Sequence, residues 1–519
     1  MGATSTSTAT DARPAGLRGM LRRPGIGGPP LAAGTPTPRV AIIGSGFGGL
    51  GMGIRLRQAG IESFTIYEKA DTLGGTWRDN TYPGSGCDVP SHLYSFSFAP
   101  NPRWTRKFPM QSEILAYLES CADRFGLRPH LRFGAEVAGA DFDESSATWT
   151  VRFADGTTDE VDVLVAATGQ LNRPHIPDIP GLADFEGTAF HSARWNHDHD
   201  LTDRDVAVIG IGASAIQFVP AIAGPPRSLT LFQRSSNYVA PKPDGPISPR
   251  AHWLFEHVKP LERLYRASIW ARFEMTHLWF VQGSRSGKLL EQKFRTELSK
   301  LVSPELTAEA LLPDYPLGCK RILISNDWYP TLHRPEVHVV TDPIEGVEAG
   351  AVVAGGAEHP ADTIIFGTGF EATGFLAPMA ISGAGGRDLH TEWKDGAEAH
   401  LGMTVAGFPN LFILYGPNTN LGHNSIVFMP ERQIAYAMQC VLRLVEDDAA
   451  SLAVRPEAMD RSNAKLRKEL RRTVWAASCH SWYKTESGKI TNNWASTTMR
   501  YAARTWRPKW SEFIESRRP

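Results

Sequence analysis

Cysteine is scarce in this sequence, and its positions exclude several kinds of site. The 519 residues contain five cysteines: Cys87, Cys121, Cys319, Cys440 and Cys479. Their number is odd and no two stand in a Cys-x-x-Cys pair. We therefore expect no disulfide framework, no structural zinc or other metal site, and no dithiol redox centre. The last absence argues against a disulfide reductase.

Long apolar runs and an excess of one charge are also missing. No run approaches the ~20 apolar residues needed to cross a bilayer. The formal net charge of −1 gives no broad basic field for nucleic acid or anionic lipid. Residues 1–38 are rich in Ala, Thr, Ser, Pro and Gly and lack the apolar stretch of a secretory signal. We expect a disordered tail there, and a cytoplasmic protein without a membrane span or a nucleic-acid partner.

Glycine, in contrast, is concentrated in turns, and one such turn follows the apolar run 39–43. It reads Gly44-Ser45-Gly46-Phe47-Gly48-Gly49. Gly44 permits a tight turn, Gly46 lets the backbone approach a pyrophosphate, and Gly49 lets helix and strand pack closely. The helix N-terminus supplies free N–H groups to the phosphates. The pattern predicts a dinucleotide site that includes Phe47.

A second turn of the same design begins 166 residues later, behind the apolar run 205–209. It reads Gly210-Ile211-Gly212-Ala213-Ser214-Ala215. The same physical reasons apply to the strand, the turn and the helix that follows. The sequence therefore predicts a second dinucleotide site formed by Gly210, Gly212, Ser214 and Ala215.

The two turns are followed by opposite charges. Twenty-four residues after the first glycine of each turn, a second apolar stretch ends, first in Glu68-Lys69 and then in Arg234-Ser235. A carboxylate at this place accepts hydrogen bonds from a ribose 2′-hydroxyl, whereas a guanidinium pairs with a 2′-phosphate. We therefore predict FAD at the first site and NADPH at the second.

Two similar strand ends indicate how the domains are arranged. The apolar strand 161–165 runs into Ala167-Thr168-Gly169, and the strand 362–366 runs into Gly367-Thr368-Gly369. One lies before the second dinucleotide unit and one after it. We predict an α/β fold with two Rossmann-type dinucleotide-binding domains. The FAD-binding domain is discontinuous, at 39–175 and 336–519, and the NADPH-binding domain at 176–335 is inserted in it.

Within the insert, residues 249–302 are predicted to form a helical subdomain. Apolar residues recur there at three- and four-residue spacings: Trp253, Phe255, Leu261, Leu264, Tyr265, Trp270, Phe273, Trp279 and Phe280. Two interpretations stay open. The residues form an ordinary core stripe, or they belong to a helical lid that walls an apolar substrate cavity at a domain interface.

Two irregular loops complete the pattern, and with them the chain resembles type I Baeyer–Villiger monooxygenases over about residues 39–505. This family lies within the class B flavoprotein monooxygenases. Its motif Phe-x-Gly-x-x-x-His-x-x-x-Trp is matched by Phe185, Gly187, His191 and Trp195. Asn196 stands where the family carries Pro or Asp. A second motif, in the glycine-rich loop 74–88, is matched by Gly75, Trp77, Tyr82, Pro83, Gly84 and Asp88.

The resemblance implies a catalytic pair. In this family a Lys-Arg pair follows a Tyr/Phe-Pro-x-Gly-x segment, and here Lys320 and Arg321 follow 315–319. Reduced flavin reacts with O₂ to give a C4a-peroxide, which attacks a ketone only as an anion. Arg321 would hold that anion over the flavin, because a guanidinium keeps its proton and preorganised charge is effective in a dry site. Asp88 would pair with Arg321 and orient it.

The resemblance also assigns cofactor contacts. Lys320 would join Arg234 at the NADPH 2′-phosphate, and Gly75, Thr76 and Trp77 would lie at the cofactor. Trp482, in a Ser-Trp-Tyr element, would close over NADPH, although a core position explains it equally well. His191 and Trp195 would link motion of the NADPH domain to the active site and would serve neither as acid nor as base.

The implied activity is that of an FAD- and NADPH-dependent monooxygenase. It would insert one oxygen atom of O₂ next to a ketone carbonyl and form an ester or a lactone. Two alternatives stay open. An N- or S-oxygenating flavin-containing monooxygenase would not need Arg321, and a non-catalytic redox sensor would have no purpose for the Asp88–Arg321 pair. The sequence does not specify the ketone or the oligomeric state.

Overall fold

The structure is a computed structural model that describes residues 29–304, 306–479 and 481–517. Most of the predicted tail, residues 1–28, lies outside the described residues. Residues 29–38 run along the first unit, where the Leu31 backbone N–H donates to Ala59 O over 2.8 Å. The Leu31 side chain also packs on the first core.

The described residues form twenty-one strands and thirteen α-helices. The strands are β1 Val40–Ile43, β2 Phe64–Tyr67, β3 Leu131–Arg132, β4 Val137–Asp143, β5 Thr148–Phe153, β6 Thr158–Val161, β7 Val163–Ala166, β8 Thr188–His191, β9 Asp205–Ile209, β10 Ser228–Phe232, β11 Val239–Ala240, β12 Leu323–Ile324, β13 Val337–Val340, β14 Ile344–Glu348, β15 Ala351–Ala354, β16 Ala357–Pro360, β17 Thr363–Phe366, β18 Ala380–Ser382, β19 Leu411–Ile413, β20 Ala449–Val454 and β21 Phe513–Arg517.

The helices alternate with these strands in both units. They are α1 Phe47–Gln58, α2 Thr76–Asp79, α3 Gln111–Arg124, α4 Ala215–Ile222, α5 Pro249–His257, α6 Lys259–Met275, α7 Arg285–Ser299, α8 Ala308–Leu311, α9 Trp328–Leu332, α10 Leu389–Glu392, α11 Phe428–Glu446, α12 Pro456–Leu470 and α13 Thr498–Arg504. None of these helices is both long enough and apolar enough to cross a membrane.

Two five-stranded parallel sheets form the centres of the two units. The first has the order β19-β7-β1-β2-β3 and the second β13-β10-β9-β17-β8. Every residue of β1 and β7 is buried, because helices and loops cover both faces of a parallel sheet and such strands are apolar throughout. In each sheet the strand before the glycine-rich turn is central. The predicted pair of Rossmann-type domains is confirmed.

The boundary predicted at residue 336 is wrong. Strands β13 and β17 lie in the second sheet, so the second unit continues to about residue 366. The reason is that each unit contains its own strand ending in x-Thr-Gly. β7 pairs with β1 in the first sheet, and β17 pairs with β9 in the second. The repeated strand end therefore completes the second unit and does not mark a return to the first.

Residues 249–302 are helical, as the apolar spacing predicted, and they contact both units. Ile269 of α6 is buried in the core of the first unit, with Tyr265, Trp270 and Phe273 packed against that core. Phe294 of α7 instead packs on a small cluster beside the second unit. The helical subdomain is thus inserted in the second unit by chain order, while α6 rests on the first.

Candidate active site

Both glycine-rich turns open on one cavity of about 1280 Å³. This is the edge at which parallel strands end and at which α/β folds bind ligands. Most of the predicted cofactor residues line it: Gly44, Gly46, Phe47, Glu68, Lys69, Gly75, Thr76, Trp77, Asp88, Gly212, Ser214, Arg234, Lys320, Arg321 and Trp482. Four others do not line it: Gly49, Gly210, Ala215 and Ser235.

The first turn is fixed by close backbone contacts. Gly44 has φ of 100°, and a Cβ there would lie 2.7 Å from Ala167 O. A Cβ on Gly49 would lie 1.8 Å from Gly44 O. Helix α1 begins at Phe47, and no side chain caps its first turn at Gly46. The free N–H groups at this helix start therefore suit a phosphate in the cavity.

Glu68 lies at the end of β2 and is 5% exposed. Its Oε2 accepts hydrogen bonds from Ser45 N at 3.0 Å and Ser45 Oγ at 2.7 Å. Its Oε1 lies 2.9 Å from Nη1 of Arg78. The carboxylate is therefore attached to the glycine-rich turn and held in one position at the cavity wall.

The second turn repeats the construction of the first. Gly210 has φ of 92°, and a Cβ there would lie 2.8 Å from Gly367 O, in the x-Thr-Gly segment after β17. Gly44 and Ala167 make the corresponding approach in the first unit. Helix α4 then begins at Ala215. The shared contact shows that both x-Thr-Gly segments serve to support their own turn.

Two cations stand beside the second turn. Arg234 is exposed at the cavity wall, two residues after β10. Lys320 Nζ donates to Ser235 Oγ over 2.5 Å and lies 4.4 Å from the ring centre of Tyr315. Burial lowers the pKa of Lys320, and the charge of Arg234 lowers it further. No carboxylate of the described chain forms an ion pair with either cation, so the pair is available to a doubly charged phosphate.

The structure brings Asp88 and Arg321 together although 233 residues separate them. Arg321 Nη2 donates to Asp88 Oδ2 over 2.5 Å at the cavity wall. The charge of Asp88 raises the pKa of Arg321 and outweighs the opposite effect of burial. Burial raises the pKa of the adjacent Tyr483 to about 12, although Arg321 opposes the shift. Around neutral pH the guanidinium is charged and the phenol is neutral.

Aromatic residues form the wall beside the first turn. Trp77 Nε1 donates to Tyr94 Oη over 3.2 Å. The Phe47 ring meets the Tyr94 ring edge to face, with centres 5.2 Å apart. Burial raises the pKa of Tyr94 well above its usual range, which keeps this phenol neutral. The wall is therefore apolar and suits a flat ring.

The predicted fingerprint residues lie away from the cavity. None of the four lines its wall: Phe185, Gly187, His191 and Trp195. His191 ends β8, an edge strand of the second sheet, and its Nδ1 accepts from Ala193 N at 3.0 Å. Burial lowers the pKa of His191, so the imidazole is neutral at pH 7. Trp195 packs on Phe218 of α4, with ring centres 5.3 Å apart. The role of His191 and Trp195 in linking motion of the NADPH domain to the active site stays a prediction.

One disulfide contradicts the expectation from the cysteine pattern. Cys319 and Cys479 are bonded, while Cys87, Cys121 and Cys440 are free and buried. The cysteine pattern led us to expect no disulfide, and this is wrong for Cys319 and Cys479. They lie 160 residues apart, and spacing along the chain does not reveal a contact over such a distance. The available signal was their position, since Cys319 directly precedes the Lys-Arg pair and Cys479 comes two residues before the Ser-Trp-Tyr element.

Tyr415 is a cavity residue that the sequence did not single out. It has φ of 59°, and its backbone N–H donates to Gln433 Oε1 over 2.8 Å. Its carbonyl accepts from Gln170 Nε2 at 3.0 Å. Arg321 lowers the pKa of the Tyr415 phenol, but burial outweighs it and raises the pKa. The available signal was the run Leu414-Tyr415-Gly416-Pro417-Asn418, whose Gly and Pro predict a turn directly after β19.

Comparison with known proteins gives the family. Residues 37–242 match the flavin-binding monooxygenase-like family. The chain is 45% identical over 478 residues to a Baeyer–Villiger monooxygenase of Streptomyces coelicolor, covering 92% of each chain. It is 42% identical over 479 residues to a Baeyer–Villiger monooxygenase of Pseudomonas aeruginosa, covering 91% of each.

Solved structures of monooxygenases are also similar to this chain. The structure of OTEMO in complex with FAD and NADP superposes with a TM-score of 0.84 at 26% identity, over 93% of this chain and 100% of that one. A steroid monooxygenase bound to NADP superposes with a TM-score of 0.80 at 29% identity, over the same shares. The chain therefore belongs to the Baeyer–Villiger monooxygenase family, as the resemblance predicted, and is an FAD- and NADPH-dependent monooxygenase.

Proposed function

We propose that Arg321 and Asp88 form the catalytic centre of this enzyme, between FAD on the first unit and NADPH on the second. Bound FAD supplies the activation of O₂, after reduction by hydride from NADPH. The observation that carries the proposal is the Arg321–Asp88 hydrogen bond of 2.5 Å in the cavity that both turns share. A charged group at this place can act on chemistry between the two cofactors.

The first turn fits FAD because its backbone is open to the cavity. A Cβ on Gly46 would meet nothing nearer than Gly75 Cα at 3.8 Å, so the side that faces the cavity is free. The start of α1 would hold the pyrophosphate, and Glu68 would accept hydrogen bonds from the adenosine ribose. Trp77 and Phe47 would form the apolar wall beside the flavin side of the molecule.

The second turn fits NADPH because neither Arg234 nor Lys320 forms an ion pair with a carboxylate among the described residues. Gly212 and Ser214 would hold the pyrophosphate at the start of α4. Arg234 and Lys320 would contact the 2′-phosphate, for which charge-assisted hydrogen bonds are strong. Trp482 lies on the same cavity and would cover the bound nucleotide.

Arg321 would stabilise the negative charge that develops on oxygen during attack on a ketone carbonyl. A guanidinium that stays protonated offers this stabilisation without reorganisation. Asp88 would hold its orientation, and the buried phenols of Tyr415 and Tyr483 would keep further negative charge out of the site. The product of the reaction is an ester, or a lactone when the ketone is cyclic.

A panel of ketones and sulfides, with the products identified, tests this function. We expect ester or lactone formation at close to one product per NADPH consumed for at least one class of ketone. Oxidation of sulfides without any ester would contradict the proposal and favour heteroatom oxygenation. NADPH consumption alone is insufficient as a readout, because peroxide release consumes NADPH too. A cytoplasmic location belongs to the same proposal and would be tested by fractionation.

A further inference from the structure

The Cys319–Cys479 disulfide stands beside the catalytic centre without a part in the reaction. Cys319 directly precedes Lys320 and lies two residues before Arg321. Cys479 lines the cavity, three residues before Trp482. The bond therefore joins the segment that contains Lys320 and Arg321 to the segment that contains Trp482. We call Trp482 and its neighbours in that segment the cover.

The disulfide and apolar packing join the two segments. Every hydrogen bond that the described residues of 477–482 make has its partner within residues 473–484. Lys484 Nζ donates to Ala477 O and, over 3.3 Å, to Cys479 O, and Tyr483 N donates to Ser481 Oγ over 3.3 Å. Across the gap, Ala477 and Cys479 pack on the cluster that contains Cys319, and Ile322, next to Arg321, packs on the apolar cluster that Trp482 also contacts. Among the described residues, the disulfide is the covalent link between the segment of Trp482 and the segment of Lys320 and Arg321.

The two sulfurs differ in their access to solutes. Cys319 is fully buried, whereas Cys479 is partly exposed and faces the cavity. Lys484 and Lys320 lie close to the pair, and positive neighbours favour the reactive thiolate of a reduced cysteine. The free Cys121 is different, because burial raises the pKa of its thiol to about 11. A peroxide in the cavity would therefore meet Cys479 first.

We propose that Cys319 and Cys479 form a reversible, peroxide-sensitive thiol pair whose oxidation clamps Cys479 and the nearby Trp482 over the cavity. The Cys479 thiolate attacks hydrogen peroxide, so that an S–O bond forms, the O–O bond breaks, and hydroxide leaves and takes a proton to become water. Cys319 then attacks the sulfenic sulfur, so that the S–S bond forms and a second water leaves. A dithiol reductant reverses the change by exchange.

The enzyme's own side reaction can supply the oxidant. When no ketone is present, NADPH, O₂ and a proton are converted to NADP⁺ and hydrogen peroxide. This source rests on the proposed function, whereas the thiol chemistry does not. The oxidised clamp keeps the cover closed, which slows nucleotide exchange and lowers further release of peroxide. In many enzymes, opening of such a cover and product release limit turnover.

Counting free thiols in the full-length protein tests the chemistry. The fully reduced chain should show five thiols and the oxidised chain three. One equivalent of hydrogen peroxide should remove two thiols from the wild type and form a linked Cys319–Cys479 peptide visible by mass spectrometry. Cys479→Ser and Cys319→Ser should form no such peptide, while Cys121→Ser, the matched control, should form it. A wild type that keeps all its thiols would overturn the proposal, whether or not the enzyme oxidises ketones.

Stopped-flow displacement of NADP⁺ tests the clamp. We expect dissociation to be roughly fivefold slower in oxidised than in reduced wild type, as for a gated step. Cys479→Ser should dissociate at the fast rate in both conditions, and Cys121→Ser should respond as the wild type does. Equal rates in the oxidised and reduced wild type would overturn the clamp. So would a response to reductant that persists in Cys479→Ser.

Discussion

The two dinucleotide units share a design, but their sequences differ at several positions of the turn and after the second strand. In both, the first glycine of the turn approaches a backbone carbonyl of its own x-Thr-Gly segment, so that a Cβ would lie 2.7 or 2.8 Å from it. The third small residue is Gly49 in the first unit and Ala215 in the second. After the second strand of each unit stands a charged residue, Glu68 directly after β2 and Arg234 two residues after β10. The shared contacts hold both turns in the same shape, and the opposite charges are the basis on which we propose FAD for the first unit and NADPH for the second.

The two charged positions are also held differently. Glu68 is buried and bonded to Ser45 and Arg78, so its orientation is set before any ligand arrives. Arg234 is exposed at the cavity wall, and Lys320 joins it from a distant part of the chain. A preorganised site binds at lower entropic cost than one that its ligand completes. The first site is therefore suited to a resident cofactor, and the second to one that exchanges.

The largest effect is expected from the substitution Gly49→Ala in the first turn. The new Cβ would lie 1.8 Å from Gly44 O. This is a backbone atom, so it can move away only if the whole turn changes its conformation. We expect a loss of about 3 kcal/mol of stability, as for overpacking in a core, together with loss of FAD. The ratio of flavin to protein absorbance after gel filtration checks this.

The reverse change in the second unit is the control. Ala215→Gly removes only a methyl group at a helix start and should cost about 1 kcal/mol or less. It should leave the flavin content unchanged. Equal flavin content in Gly49→Ala and the wild type would show that the two turns do not differ in the way described.

A smaller effect is expected from Arg234→Ala. Loss of a charge-assisted hydrogen bond to a phosphate costs about 2 kcal/mol, or roughly 30-fold in the Kd of NADPH. NADH has no 2′-phosphate, so its Kd should not change. Anaerobic titration of flavin reduction with each nucleotide measures both values.

Glu68→Gln changes the corresponding position of the first unit. It should weaken retention of FAD and leave the ratio of the NADPH and NADH constants as in the wild type. An unchanged nucleotide preference in Arg234→Ala, or a changed preference in Glu68→Gln, would contradict the assignment of the two sites.

The smallest effect concerns the helical subdomain and depends on pH. At the end of α6, Glu274 Oε2 accepts from Thr498 Oγ1 at 2.8 Å, and Oε1 accepts from Met499 N at 3.0 Å. Burial alone would raise the pKa of Glu274, but the imidazole of His423 at 3.6 Å and hydrogen bonds from Met499 and Thr498 outweigh it and lower the pKa to about 2. This contribution is present above the unfolded pKa and is lost as the pH falls from about 4.5 to about 2.

We therefore expect Glu274→Gln to lower the Tm clearly at pH 6 and by less with each step below about pH 4.5, because the unfolded wild type then takes up the proton that the folded protein accepts only near pH 2. Glu297→Gln is the matched control within the same subdomain. Glu297 pairs with Lys300 at the surface, so its loss should matter little at any pH. A Tm difference for Glu274→Gln that stays constant with pH would show that this carboxylate does not tie α6 to the first unit.

Much of the fold and the site follows from local patterns. The turns, the opposite charges at Glu68 and Arg234, and the helices of 249–302 all lie within short windows whose periodicity or spacing has a direct physical meaning. The Asp88–Arg321 pair was implied by resemblance, because no local rule connects positions 233 residues apart. The structure supplies the distance between them.

The errors have a common cause, which is pairing over long distances. The strand at β17 was assigned to the wrong unit because its sequence matches β7 equally well, and only strand pairing decides between two parallel sheets. The Cys319–Cys479 bond was missed for the same reason. The packing of Ile269 on the first unit depends on the orientation of a whole helix, which its own apolar spacing does not determine.

The most direct measurement of the central claim is the product distribution of Arg321→Ala with a ketone that the wild type converts. Because Arg321 is proposed to act after flavin reduction, the variant should still be reduced by NADPH under anaerobic conditions. With O₂ and ketone it should form no ester and release hydrogen peroxide in an amount equal to the NADPH consumed. Ester formation by Arg321→Ala at the wild-type yield per NADPH would contradict the account.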